Sequence, residues 1–133
     1  LDLDSAVVGD LSDLAGIGRT AIMRDVYRPS GLQSSIMFLA DRDRGPVWRS
    51  FVADAARWMH RFRGGGDQAF LERVWRNRLP AIWQDQLPGQ VVSYKVHVRP
   101  AQRPGREFGN GSLPDGARVV VFHGKPRPWE VGW

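Results

Sequence analysis

The sequence contains no cysteine, only two lysines and no long hydrophobic run. Without cysteine the protein has neither disulfide bonds nor a thiolate metal site. No stretch reaches the roughly 18 consecutive apolar residues that a membrane-spanning helix needs. We therefore expect a cytoplasmic protein with no membrane span and no signal peptide.

The scarcity of lysine contrasts with an excess of arginine, which supplies seventeen of the nineteen basic residues and most of a net charge of +5. Nine of the arginines fall between Arg42 and Arg78. A basic nucleic-acid-binding module is one interpretation of such a segment. Arginine excess beside many alanines and glycines is more typical of genome composition, so nucleic acid is not the partner we expect. Lys95 and Lys125 stand out because lysine is so rare here.

Periodicity predicts a mixed α/β chain. Apolar residues at helical spacing predict a helix over 47–62, with Met59 among its inward residues, and the glycines at 64–66 end it. Asp67 is the predicted N-cap of a second helix over 68–76. Strands are predicted over 20–24, 34–39, 91–98 and 117–122, with one strand ending near Asp4 and an exposed loop over 100–114.

The predicted strands are too few for an independent sheet that is covered on both faces. Because the chain opens with Leu1 inside an apparent buried strand, we expect part of a larger domain, with βαβ units upstream.

The first chemical motif is L-D-L-D-S-A-V-V-G-D-L at residues 1–11. Asp2 and Asp4 at the end of a strand could converge on one hard cation and leave positions open for phosphate oxygens and water. A polar strand end with no ligand is the alternative interpretation of this motif alone.

Two further motifs lie beyond it. Gly66, Asp67 and Gln68 lead into a helix and could hold sugar hydroxyls, although Asp67 is equally explained as a structural cap. His123, Gly124 and Lys125 follow an apolar strand, at the edge where open α/β sheets bind ligands. The imidazole could bind Mn²⁺ and the lysine could neutralise a diphosphate.

The order of these motifs resembles the GT-A glycosyltransferases related to glycogenin and the bacterial lipopolysaccharide galactosyltransferases. In that family a Y-L-D-x-D-x-x-V-x-x-D-L segment holds the metal. A later N-S/A-G/S-V strand and a D-Q pair face the sugar, and an H…G…K-P-W segment closes over the diphosphate. The resemblance covers almost the whole chain and is strongest at residues 1–11 and 66–70.

The resemblance implies an α/β fold in which residues 1–133 form the C-terminal part of a GT-A, Rossmann-like domain, beginning at the Asp-x-Asp motif. It implies transfer of a sugar from a nucleoside-diphosphate donor to a hydroxyl acceptor, which is a saccharide, a lipid-linked saccharide or a protein. The implied metal is Mn²⁺ or Mg²⁺, held by Asp2, Asp4 and His123. The implied catalytic residues are Asp67 and Gln68, and the implied substrate-binding residues are Asp2, Gln33, Ser34, Gly66, Gly124 and Lys125.

Two features depart from the family pattern. His123, Gly124 and Lys125 are contiguous here, whereas the family spaces them further apart, and Gln33 replaces the usual asparagine. An inactive or interaction-only glycosyltransferase fragment is the main alternative, because the family's nucleotide-base pocket lies upstream of these motifs, and we do not expect transfer by the 133 residues alone.

Overall fold

The computed structural model describes residues 1–100 and 109–133 and is mixed α/β, which confirms the expected class at that level. Six short strands form two three-stranded sheets, in the orders β1-β6-β5 and β3-β2-β4. The strands are β1 (Ser5–Val7), β2 (Ala21–Arg24), β3 (Leu32–Phe38), β4 (Ala81–Ile82), β5 (Val91–Ser93) and β6 (Val119–Val121). The helices are α1 (Ser12–Ala15), α2 (Asp41–Val52), α3 (Ala55–Arg61), α4 (Gly66–Val74) and α5 (Trp83–Gln86).

Strand β6 is the central strand of the first sheet, antiparallel to β1 and parallel to β5. Its residues are fully buried because successive side chains enter different cores. Val119 and Val121 pack with α1 and Trp83, whereas Val120 and Phe122 pack against Val98 and Val131. Of the strand predicted over 117–122, residues Val119–Val121 form β6.

The second sheet separates the core around Trp83 from a third group of apolar side chains. Met23 on β2 faces the core around Trp83, whereas Ile22 faces Phe70 and Leu71 of α4. Trp83 is almost fully buried, and its indole Nε1 donates to the Ile36 carbonyl at 3.1 Å. This bond connects α5 to β3, and the Trp83 side chain packs against residues of both sheets. The sequence predicted no element in this segment after Pro80.

The single helix predicted over 47–62 was wrong, because the structure has two helices there. Helix α2 begins six residues earlier, at Asp41, and ends at Val52. Asp54 leaves the helical conformation, with φ −158° and ψ 62°, and its carboxylate accepts from the Arg57 amide as the N-cap of α3. The break changes the phase of the apolar stripe, so that Met59, predicted to point inward, is 67 % exposed.

Two other predicted elements differ from the structure. Helix α4 begins at Gly66 with Gly65 as its N-cap, so the prediction of Asp67 as N-cap was wrong. The strand predicted over 91–98 ends at Ser93 and continues as a π-helical turn, Tyr94–Val98. Within this turn the His97 ring nitrogen Nδ1 accepts from the Ser93 amide at 2.8 Å. Of the loop predicted over 100–114, residues 101–108 lie outside the described part of the chain.

Candidate functional site

Asp4 and His123 come together at one edge of the first sheet, although not by the predicted route. The prediction that Asp2 and Asp4 end a strand was wrong, since β1 begins after them at Ser5. Because β1 runs antiparallel to β6, Ser5 pairs with Val121, the last residue of β6. The residues just before β1 and just after β6 therefore share an edge, and the Phe122 amide donates to the Asp4 carbonyl at 3.0 Å.

The Asp4 carboxylate is the best-connected group at this edge. It is 8 % exposed, and its Oδ2 accepts from the Gly124 amide at 2.9 Å and from the Arg127 guanidinium at 2.7 Å. Gly124 adopts φ 85°, a conformation that glycine reaches without steric cost. Both bonds fall on one oxygen, so within the described residues Oδ1 has no protein donor.

His123 is placed beside Asp4 with one ring nitrogen unused. Its backbone has φ 51°, in the left-handed region that few residues other than glycine adopt. Within the described residues, the buried Nε2 atom has no hydrogen-bond partner. Burial is the main cause that lowers the pKa of His123 below its ordinary value, and Lys95 lowers it further. The ring is therefore held neutral, as an imidazole must be to bind a metal.

Two cations, Lys95 and Arg127, contact this pair, a third, Arg99, lies near Lys95, and the sequence did not identify them as site residues. Lys95 on the π-helical turn donates through Nζ to the His123 carbonyl at 2.8 Å. Burial lowers the pKa of Lys95 from its ordinary value, as do the charges of Arg99 and Arg127, whereas Asp4 raises it. The only signal in the sequence was the rarity of lysine, and it was equally strong for Lys125. Arg99 and Arg127 had no signal among seventeen arginines.

The opposite side of His123 connects to the predicted sugar-binding helix. The Tyr27 ring meets the His123 ring edge-on, with centroids 6.3 Å apart. Tyr27 belongs to a turn in which Asp25 Oδ1 accepts from the Tyr27 and Arg28 amides. Asp25 Oδ2 accepts from Gln68 Nε2 at 3.2 Å. Gln68 is thus linked to the His123 region through one turn, by contacts that motif spacing could not indicate.

The Gln33 segment of β3 lies beside Asp2. Gln33 Nε2 donates to the Ser35 hydroxyl at 2.6 Å, and the Ser35 carbonyl accepts from the Asp2 amide at 2.8 Å. Ser34, the serine chosen from the sequence, is buried, and it is Ser35 that makes these contacts. Asp2, Gln33 and Ser34 are therefore near neighbours, and their roles toward a substrate stay predictions.

The remaining predicted residues are placed less centrally. Lys125 is exposed, whereas Lys95 contacts His123. Asp67 is exposed, and its Oδ1 accepts from the amide of its own neighbour, Gln68, at 2.9 Å. Gly66 has φ 57° and starts α4. The roles of Lys125, Asp67 and Gly66 stay predictions.

Two atoms at this edge are of the kinds that bind cations in other proteins. Asp4 Oδ1 and His123 Nε2 have no hydrogen-bond donor or other partner among the described residues. The same residues include no group of three or more histidines or carboxylates that could hold a metal ion, so Asp2 does not complete a three-residue site. A cation here would take its other ligands from substrate phosphates and water, as Mg²⁺ commonly does.

No protein-family model, curated protein or solved structure matches the chain. Among the described residues, no helix has the length and apolar character required to traverse a lipid bilayer.

Proposed function

We propose that this chain carries the donor-diphosphate side of a GT-A, nucleotide-sugar-dependent glycosyltransferase that acts in the cytoplasm. The observation that supports this most directly is the cluster at the start of β1 and the end of β6. There Asp4 Oδ1 and the Nε2 atom of a neutral His123 have no protein partner among the described residues and could each bind a cation. Positive charge is added by Lys95, Arg99 and Arg127. Two carboxylates, Asp4 and Asp25, act on His123, so three cations still leave net positive charge here. That charge favours a ligand with several negative charges, as a nucleoside diphosphate has.

The chain's own groups have defined parts in the proposed transfer. A bound Mn²⁺ or Mg²⁺ would stabilise the charge that develops on the departing diphosphate. Asp4 and His123 would hold that ion, and Lys95 with the two arginines would bind phosphate oxygens as the anomeric bond breaks. Arg127 already bonds Asp4, so it orients the carboxylate and presents a cation beside it. Gln68 and Asp67 would face the sugar, and the donor sugar would pass to a hydroxyl acceptor.

The test is binding of Mn²⁺ and a nucleoside diphosphate to the purified chain, measured by calorimetry and by the Mn²⁺ electron paramagnetic resonance signal. UDP, GDP and ADP are compared, because the base is not specified by the residues at the site. We expect each ligand to bind more tightly in the presence of the other. Asp4→Asn and His123→Gln should weaken Mn²⁺ binding by at least about tenfold, as loss of metal-site groups commonly does.

Asp115→Asn and His60→Gln are matched controls, since both residues are exposed and lie outside the cluster. They should leave Mn²⁺ binding unchanged. Failure of the parent chain to bind Mn²⁺ with any of the three diphosphates would refute the proposal. Equal binding by Asp4→Asn, His123→Gln and the parent would refute the assignment of the ligands. Release of sugar from a nucleotide sugar, measured with the same variants, tests transferase chemistry separately.

A further inference from the structure

An apolar cleft of about 700 Å³ lies between α2, α3 and α4, outside the charged cluster. Phe51, Trp58, Phe62 and Phe70 form aromatic walls, with the Trp58 and Phe62 rings stacked at 5.8 Å. Its size is that of a pocket for one small organic molecule. Trp48 and Met59 line the same cleft and are 64 % and 67 % exposed, so much of its apolar surface is open to solvent.

Positive charge borders the cleft. Arg63 is one of its lining residues, and the guanidinium groups of Arg57 and Arg61 lie 5.7 Å above the Trp58 and Phe62 rings. Within residues 1–100 and 109–133, none of these three arginines forms an ion pair with a carboxylate. Among the described residues Asp67 is the one carboxylate in the lining, and Arg57 and Arg61 flank the aromatic walls without lining the cleft, so the three arginines outnumber it. The charge around the cleft therefore favours a ligand that is apolar over most of its length and anionic at the end that meets these arginines.

The cleft also reaches the predicted catalytic residues. Gly66 and Asp67 line it, and the next residue, Gln68, bonds the turn that carries Tyr27 to His123. A molecule in the cleft would consequently end beside the region where the donor sugar is expected.

We propose that the cleft binds the acceptor, and that the acceptor is a single amphiphile with an apolar chain, an anionic phosphate head and the hydroxyl group that receives the sugar. The chain occupies the aromatic walls and the phosphate meets Arg57, Arg61 and Arg63. The identity of this molecule as acceptor rests on the proposed glycosyltransferase function, whereas its binding does not. A concave cleft suits one chain better than a bilayer surface, because interfacial helices bury an outward-facing apolar surface in the lipid.

The experiment measures binding of n-alkyl phosphates to the chain by calorimetry, below their micellar concentrations and without metal or nucleotide. Octyl, decyl and dodecyl phosphate are compared with propyl phosphate and with dodecyl maltoside, which has the same chain and a neutral head. We expect affinity to rise up to about fourfold for each methylene buried. Dodecyl maltoside should bind more weakly than dodecyl phosphate, and propyl phosphate should not bind detectably.

Variants at exposed positions separate binding from folding. Met59→Asp should abolish dodecyl phosphate binding, and the triple change Arg57→Gln, Arg61→Gln and Arg63→Gln should remove the preference for phosphate over maltoside. Leu79→Asp and Arg76→Gln are the matched controls, because both residues are exposed and neither lines the cleft. They should bind as the parent does.

Three results would overturn the proposal. The first is no dependence of affinity on chain length. The second is binding to anionic vesicles with no binding of monomeric alkyl phosphates, which would make the cleft a membrane contact. The third is a dimer in sedimentation that Met59→Asp dissociates, which would make a second copy of the chain the occupant. The alkyl phosphate experiment contains neither nucleotide nor Mn²⁺, so its failure would not contradict the proposed diphosphate site. Failure of the Mn²⁺ and diphosphate experiment would likewise not contradict binding of an amphiphile in the cleft.

Discussion

Two buried serines differ in whether their hydroxyl oxygens have a partner. Ser35 on β3 accepts from Gln33 Nε2, whereas Ser93 Oγ on β5, with the residue fully buried, has no hydrogen-bond partner among the described residues. Removing the unsatisfied Ser93 hydroxyl should not lower the free energy of unfolding, because no hydrogen bond offsets the desolvation of that hydroxyl in the folded state. We expect Ser93→Ala to be neutral or to raise the free energy of unfolding by up to about 1 kcal/mol.

Ser35→Ala is the comparison, and it should lower the free energy of unfolding by about 1 kcal/mol because Gln33 loses its acceptor. Urea unfolding measures the change in the free energy of unfolding for both variants, provided that the dependence of this free energy on urea concentration is the same as in the parent. A larger loss for Ser93→Ala than for Ser35→Ala would show that the Ser93 hydroxyl is satisfied in solution.

His123 should make the stability of the fold depend on pH. Its pKa is lowered in the folded state by burial and by Lys95, so the unfolded chain binds a proton more readily. The contribution of the neutral ring is therefore complete above the ordinary pKa of about 6.5 and is lost as the pH falls toward the folded-state pKa. We expect the parent to lose stability relative to His123→Gln below about pH 6.5. His60 and His97 are present in both proteins, so their contributions cancel in the difference between the two free energies of unfolding. Parallel stability curves from pH 8 to pH 5 would contradict the lowered pKa.

At the scale of residues, the sequence indicated those chemical groups that lie in short motifs. Asp4, His123 and Gly124 could be chosen because carboxylates, imidazole and glycine form recognisable local patterns. Arg127, Arg99 and Tyr27 could not, since their positions depend on the turn after β6, the π-helical turn and the turn after β2. Asp25 could not be chosen either, because it reaches Gln68 across 43 positions of sequence.

At the scale of elements, Asp54 separates α2 from α3 and so shapes the apolar cleft. Its carboxylate accepts from the Arg57 amide, which would otherwise have no partner at the start of α3. We expect Asp54→Ala to lower the free energy of unfolding by about 1 kcal/mol, the usual effect of losing an N-cap. Asp115→Ala, at an exposed position in a turn, is the matched control and should change it little.

Dodecyl phosphate binding provides a second measurement on Asp54→Ala. If the cap fixes the angle between α2 and α3, its loss should weaken binding in the cleft. Unaltered stability together with unaltered binding would show that the cap does not fix the break.

Apolar runs predicted β6 and the apolar half of β3, residues 36–38, because side chains that alternate between two cores are apolar on both faces. Three elements escaped prediction for different physical reasons. The α2–α3 break depends on one capping residue within an otherwise helical pattern. Strand β4 has two residues, too few for any periodicity, and is defined by pairing with β2. The π-helical turn follows β5 where the alternation predicted more strand, and it is closed by a local bond from the Ser93 amide to the His97 ring that periodicity does not indicate.

At the scale of the whole molecule, the mixed α/β class followed from the sequence, but the strand pairing did not. Parallel pairing of β5 with β6, and of β2 with β4, joins segments whose partners depend on long-range packing. Trp83 shows this dependence, since its indole bonds a carbonyl on β3 from a helix that follows β4. Whether the two sheets form part of a GT-A domain remains the proposal stated above.

The burial of β6 on both faces has a consequence for the rates at which backbone amides exchange with deuterium. Val120 and Val121 should exchange only when the whole chain unfolds, because β6 is paired on both edges and covered by two cores. Helix α3 has no buried residue, so its amides should exchange through local opening, orders of magnitude faster. Exchange followed by NMR or mass spectrometry would contradict this if β6 and α3 exchanged at similar rates.

The two proposed binding sites adjoin segments with opposite exchange rates. His123 and Gly124 follow the slowly exchanging strand β6, whereas Trp58 lies in the rapidly exchanging helix α3 and Phe62 directly follows it. The diphosphate side of the proposed site would then be rigid before any ligand binds, and the acceptor side would adapt to its ligand.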